Sequence, residues 1–420
     1  MIEEWKSLCY NKTITQRIQE RSRVIRMKAF LILEDGTVFE GIHIGAEKEI
    51  ISEIVFNTSM AGYVEVLTDP SYAGQAVCMT YPLIGNYGIC FEDMESDSVW
   101  PDGFIVRELS RIPSNFRCDM TIQDFLVKNG IPGIAGIDTR ALTKILREKG
   151  TMNGMITTNE SYQSEEILPK LKAYSVGKVV ELVTCKDKYD VAGTKDIAEN
   201  GPISGSSHFN AEDYAKGIRE KKPSTVKKVN GVGLKVALLD LGAKNNIIRS
   251  LAARGCDVTV YPAFTTAEEI IAAKPDGIML SNGPGDPKEC TQIIAELKKL
   301  YDTDIPIFAI CLGHQLMALA TGADTFKMKY GHRGGNHPVK SLETGRVYIS
   351  SQNHGYVVDT DKLNDKVAVP MFVNVNDGTN EGLSYTGKNI FTVQFHPEAC
   401  SGPQDSEDLF DKFIAMMRRV

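Results

Sequence analysis

From Leu234 onward the chain alternates two hydrophobic patterns. Near-continuous apolar runs, "LKVALLDLG", "DVTVYP", "GIMLSNGPGDP" and "IPIFAI", are each followed by a segment with apolar residues at helical spacing: "AKNNIIRSLAARG", "TTAEEIIAAK", "ECTQIIAELKKLY" and "CLGHQLMALATG". Strands that lack polar alternation are buried on both faces. The pattern therefore predicts an α/β domain over 234–420, an open, mostly parallel sheet with helices on both faces. Ligands bind such sheets outside the carboxyl ends of the strands. Both "SNGPGDP" and "CLGHQ" fall there.

Upstream, 27–173 mixes short β-rich runs ("AFLILEDGTVFEGI", "ISEIVFNTS", "GQAVCMTYP") with helices expected around "TIQDFLVKN" and in "GIDTRALTKILREKG". In the second helix Asp138 is placed to cap, Leu142, Ile145 and Leu146 share an apolar face, Lys144 and Glu148 are four apart, and Gly150 stops it. This reads as a smaller N-terminal α+β domain. Residues 174–233 read as a linker with an inserted loop, since 186–233 is polar and rich in Gly, Ser, Pro and charge. Residues 1–26 carry six basic and three acidic side chains and read as an extension, with a cleaved targeting segment as the alternative.

Composition narrows the function classes. The 420 residues are 42% hydrophobic and 24% charged, ordinary for a globular chain of two or three domains. Nine cysteines stand singly with no CxxC pair, which points to a reducing, cytoplasmic setting. No run approaches the roughly 18 apolar residues of a membrane span. A net charge of −7 argues against a nucleic-acid surface. A small-molecule or protein partner is expected instead.

Cys311 ends the fourth apolar run and begins a helix. A nucleophile on such a tight turn needs small residues two positions either side, here Ala309 and Gly313. At a helix N-terminus the dipole is expected to lower its pKa, and the Leu312 N–H to point toward an oxyanion. Gly283 and Gly285 let main chain approach a ligand closely. A cysteine nucleophile also needs a base held by a carboxylate. "IFTVQFHPEA" supplies His396 and Glu398, two apart at another strand end. Each feature alone has a structural reading, a core cysteine or a Gly-Pro turn; together they describe a hydrolytic site.

"AICLGHQLMALATGA", "LSNGPGDP" and "QFHPEA" resemble the three signatures of class I glutamine amidotransferases. That resemblance implies an open α/β sheet and a catalytic triad of Cys311, His396 and Glu398. "VFNTSMAGYVEVLTDPSYAGQ", "YPLIGNYG", "GIDTRALTKILREKG", "DLGAKNNI", "KYGHRGGNHPV" and "QNHGYVVD" resemble more narrowly the small, glutamine-hydrolysing subunit of carbamoyl-phosphate synthetases, from Met27 to about Ile414. Three positions depart from that pattern: Ala309 replaces a usual glycine, Cys400 and Ser401 a usual Ser-Pro, and Tyr356 a common phenylalanine.

The resemblance implies hydrolysis of glutamine through a cysteine thioester, with the oxyanion held by the N–H groups of Leu312 and Gly283. Glutamine would be bound by Ser59, Gln315, Asn353, Gly355 and Tyr356, with Gly283 and Gly285 contributing backbone contacts. It implies no cofactor or metal in this chain. ATP and Mg are expected on a large partner subunit, which receives the ammonia and makes carbamoyl phosphate for arginine and pyrimidine biosynthesis. The N-terminal domain is the expected docking surface. His354 is a competing base without a nearby carboxylate, and His332 and His337 read as structural or interface-forming instead of metal ligands. The alternatives are the glutaminase of another synthase, a peptidase on the same fold, or a non-catalytic activating scaffold.

Overall fold

The computed structural model describes residues 27–194 and 230–419. The extension expected over 1–26, and most of the polar loop expected near 186–233, lie outside the described residues. Apart from a two-stranded sheet of Leu83–Ile84 and Glu108–Leu109, the described N-terminal strands are β1 (Lys28–Leu33), β2 (Val38–Gly45), β3 (Ile50–Asn57), β4 (Gln75–Met79), β5 (Gly103–Val106), β6 (Pro132–Ala135) and β7 (Met152–Thr157). They close into a barrel in the order β1-β2-β6-β5-β4-β3-β7. The pairs β3-β4, β4-β5 and β5-β6 are parallel, and the remaining pairs are antiparallel. Leu31, Ile54, Cys78, Ile105, Ile134 and Ile156 share one core with Leu142 and Leu146.

Both expected N-terminal helices form. Helix α1 (Ile122–Lys128) is capped by Thr121, which accepts from the Asp124 N–H. In α2 (Thr139–Lys149) Asp138 accepts from the N–H groups of Arg140 and Ala141, and Gly150 ends the helix at φ 104°, a conformation that favours glycine.

The segment expected as a linker is partly built into the C-terminal half. Its short helix α3 (Val180–Val183) buries Val180 and Val183. Strand β8 (Tyr189–Val191) pairs antiparallel with β10 (Asp257–Pro262), matching Tyr189, Asp190 and Val191 with Val260, Thr259 and Val258. An edge strand needs no buried outer face, so its polar sequence concealed it.

The C-terminal strands are β8, β9 (Lys235–Asp240), β10, β11 (Gly277–Leu280), β12 (Ile307–Ile310), β13 (Thr325–Ser341), β14 (Val347–Val358), β15 (Ala368–Asn374), β16 (Asn380–Tyr385) and β17 (Ile390–Val393), in the sheet order β8-β10-β9-β11-β12-β17-β16-β15-β13-β14. The five strands β10-β9-β11-β12-β17 are mutually parallel, the expected core of the domain. Antiparallel strands extend it at both ends, so the complete sheet is mixed.

Strand alternation sends side chains to two covered faces. Leu239, Leu280 and Ala309 meet α5 (Ala267–Ala272), α6 (Thr291–Tyr301) and α7 (Leu312–Ala320). Leu238, Met279 and Phe308 meet α4 (Asn245–Ala252) and α8 (Asp408–Met417) on the other. Among the described residues no helix is long and apolar enough to cross a membrane.

Candidate active site

Cys311 sits between β12 and α7 at φ 53°, ψ −104°, a backbone conformation costly for a residue with a Cβ. Its N–H is fixed to the Val393 carbonyl at 2.8 Å. A Cβ at Gly313 would lie 2.7 Å from both Cβ and O of Leu280, which explains the demand for glycine two residues on. Ala309 lies fully buried in β12, opposite Leu280 and Thr392, and the positive φ falls on Cys311 and not on Ala309. The thiol contacts the Asn353 carbonyl at 3.7 Å and accepts from Gln394 Nε2 at 3.6 Å.

The expected lowering of the Cys311 pKa is overturned. Burial pushes the thiol well up, and Asp69 and Glu398 push it further; the Leu312 N–H and Lys244 act the other way and are outweighed. Cys311 therefore rests as a thiol, and attack by its sulfur would need a base to take the proton.

His396 and Glu398 are buried beside each other, with Nδ1 of the ring 2.7 Å from Glu398 Oε1. The His396 N–H donates to the Ser351 carbonyl, which ties this turn to β14. Its Nε2 has no hydrogen-bond partner and is free to move a proton. Glu398 Oε1 also meets Lys244 Nζ at 2.7 Å. Burial alone would raise the Glu398 pKa; the Lys244 charge and then His396 outweigh it and hold the carboxylate at about 2. Lys244 Nζ further donates to the carbonyls of Ala399 (2.7 Å) and Cys400 (3.3 Å), and Asn246 Nδ2 donates to the Glu398 carbonyl. Lys244 and Asn246 lie in the quoted "DLGAKNNI", but only the fold reveals that they fix the acid.

A cavity of about 350 Å³ opens beside Cys311. Of the expected binding residues, Gly283, Gly285, Gln315, Asn353, Gly355 and Tyr356 line it. Leu312 lies behind its wall, placing its N–H against the thiol. At Gly283 a Cβ would lie 2.1 Å from the Leu241 carbonyl, so that position is restricted to glycine. Gln315 Nε2 donates to the Tyr356 carbonyl at 2.8 Å and to Gln394 Oε1 at 2.9 Å. The Tyr356 hydroxyl, extra relative to phenylalanine, has its pKa pushed up by burial and then by the nearby Asp286 carboxylate. Ser59 is not on this wall. It lines a smaller hollow together with His396, and Asn353 borders both spaces.

The N-terminal barrel completes the site through residues not singled out from sequence. Asp69 Oδ2 accepts from Asn353 Nδ2 at 3.1 Å, and Ser71 Oγ accepts from Asn282 Nδ2 at 3.0 Å. Glu95 accepts from the Asn246 N–H and pairs with Arg249; burial nevertheless pushes its pKa to about 8. The cavity's barrel side includes Glu53, which holds Lys327 Nζ at 2.6 Å and accepts from Gln75 at 2.8 Å.

His354 cannot serve as base: its ring nitrogens meet the Tyr356 carbonyl at 2.8 Å and Gln352 Oε1 at 3.1 Å, and burial holds its pKa well below the usual value. His332, His354 and Glu381 bring potential ligand atoms within 4.8 Å of one another. His332, however, sits between Asp377 (2.8 Å) and Glu381 (3.4 Å); burial opposes its charge, but the two carboxylates raise its pKa to about 9. An imidazolium there neutralises the buried acid without an ion.

A doubly covered parallel sheet with a cysteine elbow and an adjoining His-Glu pair defines a class I glutamine amidotransferase, and residues 237–416 match the family profile "Glutamine amidotransferase class-I". Residues 31–156 match "Carbamoyl-phosphate synthase small chain, CPSase domain". The carbamoyl phosphate synthase small chain of Clostridium perfringens is 48% identical over 388 residues, 92% of this chain and 99% of that protein. The corresponding protein of Fusobacterium nucleatum is 47% identical over 384 residues, 91% of this chain and 96% of that one. This chain belongs to the carbamoyl-phosphate synthase small-chain family. Among solved structures, a glutamine amidotransferase from Thermotoga maritima covers 39% of this chain and 76% of its own at 18% identity and a TM-score of 0.33, too distant to bear on function.

Proposed function

We propose that this chain is the glutaminase subunit of a carbamoyl-phosphate synthase, and that the reaction runs on Cys311, His396 and Glu398. The observation that carries the reading is the strained Cys311 elbow opening on the 350 Å³ cavity, in a chain whose His396-Glu398 pair is fixed by Lys244.

Glutamine enters with its side-chain amide against Cys311. His396 Nε2 takes the thiol proton as sulfur bonds to the amide carbon, and the N–H groups of Leu312 and Gly283 receive the oxyanion. The imidazolium, stabilised by Glu398, returns the proton to the departing nitrogen. Ammonia leaves and a γ-glutamyl thioester remains. Water, deprotonated by the same histidine, releases glutamate. A raised thiol pKa suits this sequence, since proton removal is coupled to substrate engagement and unproductive oxidation of a free thiolate is suppressed.

The ammonia passes to a larger, ATP-using subunit in the cytoplasm, which joins it to bicarbonate and phosphate; ATP and Mg are assigned to that partner. The small-chain relatives support this division of labour. The N-terminal barrel is proposed to dock that partner. The test is reconstitution with the large subunit: Cys311→Ser is expected to abolish glutamine-dependent carbamoyl phosphate synthesis and preserve ammonia-dependent synthesis. Retained glutamine-dependent synthesis would refute the nucleophile assignment.

A further inference from the structure

Among the described residues, Gln394 is the side chain that donates to the Cys311 sulfur, with Nε2 at 3.6 Å. It is fully buried and directly follows β17, and its main-chain N–H donates to the Glu381 carbonyl at 2.9 Å. Strand β17 runs parallel to β12 with Val393 opposite Ile310, so the next residue on each strand, Gln394 and Cys311, leaves the sheet beside the other.

The neighbours decide which way the Gln394 amide faces. The Tyr356 carbonyl can only accept, so the Gln315 group 2.8 Å from it is the NH2. The same NH2 reaches Gln394 at 2.9 Å, which puts the Gln394 oxygen on that side. The Gln394 NH2 is left facing the sulfur. Reversing the amide would set two NH2 groups against each other.

A negative charge on this sulfur has few supporters. Burial and the carboxylates of Asp69 and Glu398 oppose it. Lys244 favours it, but Glu398 and two main-chain carbonyls occupy the Lys244 ammonium. A hydrogen bond strengthens when its acceptor becomes ionised, so the Gln394 contact, weak against a thiol, favours the thiolate. Gln315 lines the cavity and Gln394 does not, so the donor reaches the sulfur from outside the space that a substrate would fill.

We propose that Gln394 is a further catalytic residue, whose side-chain N–H holds the Cys311 sulfur and stabilises the thiolate as its proton passes to His396, with Gln315 fixing the orientation of the amide. This rests on the glutaminase reading and adds to it a group acting on the nucleophile instead of on the substrate. The same contact serves the second half of the reaction, when hydrolysis of the thioester returns the sulfur as a thiolate.

The test is Gln394→Met in the reconstituted complex, which keeps the side-chain length and removes the donor. Iodoacetamide, a neutral reagent that reacts with the thiolate, is applied at pH 8, and modification of the fragment containing Cys311 is followed by mass spectrometry. The charged groups whose fields reach the sulfur, Asp69, Glu398, Lys244 and Arg333, are the same in both proteins. Alkylation of Cys311 is expected to slow about tenfold, and glutaminase kcat to fall by at least that factor, with KM for glutamine within a few-fold of wild type.

A packing role alone predicts another pattern: a loosened cavity would raise KM and admit the reagent faster. Ammonia-dependent synthesis in the same complex reports that the variant is folded. Alkylation as fast as in wild type, or a slower rate matched by a rise in KM, would overturn the role of Gln394 and leave the glutaminase reading standing. No glutamine turnover by wild type would overturn that reading and this role with it.

Discussion

Two buried cations stand near Cys311, the proposed nucleophile, and the structure holds them in opposite ways. Lys244 is saturated: Glu398 and two main-chain carbonyls occupy its ammonium, and Glu398 in turn holds His396. Arg333 is left with one carbonyl. The first charge is tied into the folded protein, and the second is left facing the cavity. The pair shows how one small site can hold two buried charges in very different states of compensation.

The largest expected effect comes from removing the saturated cation. Lys244→Met leaves Glu398 as an uncompensated buried charge and should cost roughly 3–5 kcal/mol of unfolding free energy, read by urea denaturation of the free subunit. Glutaminase kcat should fall with it, because the His396 ring loses its fixed acid. Unchanged stability would erase the distinction between the two cations.

His332 gives an intermediate case, a buried cation that can be switched off. Its pKa is raised to about 9 by Asp377 and Glu381, against about 6.5 for a histidine in an unfolded chain. Its stabilisation is therefore fully present below pH 6.5 and is lost as pH rises through 9, amounting to roughly 3 kcal/mol at most. The stability difference between wild type and His332→Asn should shrink across that window. A difference independent of pH between 6 and 10 would show that His332 carries no charge in the fold.

The smallest expected change is for Arg333→Met in the ligand-free protein. It removes an unpaired buried charge together with one hydrogen bond, so the net effect should lie within about 1 kcal/mol of zero. A loss as large as that of Lys244→Met would mean that Arg333 is a structural residue.

Much of the chemistry was legible before the fold was known. "AICLGHQ" and "QFHPEA" place a cysteine and a His-Glu pair at strand ends, and the parallel strands showed themselves because burial on both faces removes polar alternation. The 17 residues of β13 did not, because glycines, histidines and two breaks in register interrupt any periodic pattern. The barrel was equally hidden, since its closure depends on parallel pairs between segments far apart in sequence.

Lys244 marks a different limit. In "DLGAKNNI" it looks like a surface lysine, and its burial arises where α4, the H-P-E turn and the barrel converge. The helix dipole misled at Cys311 for a related reason: sequence shows the helix terminus, while the desolvation that outweighs it comes from tertiary packing.

The most direct test of the account is to quench the wild-type complex in acid during glutamine turnover and analyse its proteolytic fragments by mass spectrometry. A γ-glutamyl adduct on the fragment containing Cys311, absent from Cys311→Ser, is the predicted result. Steady glutamate release without that adduct, persisting in Cys311→Ser, would contradict it.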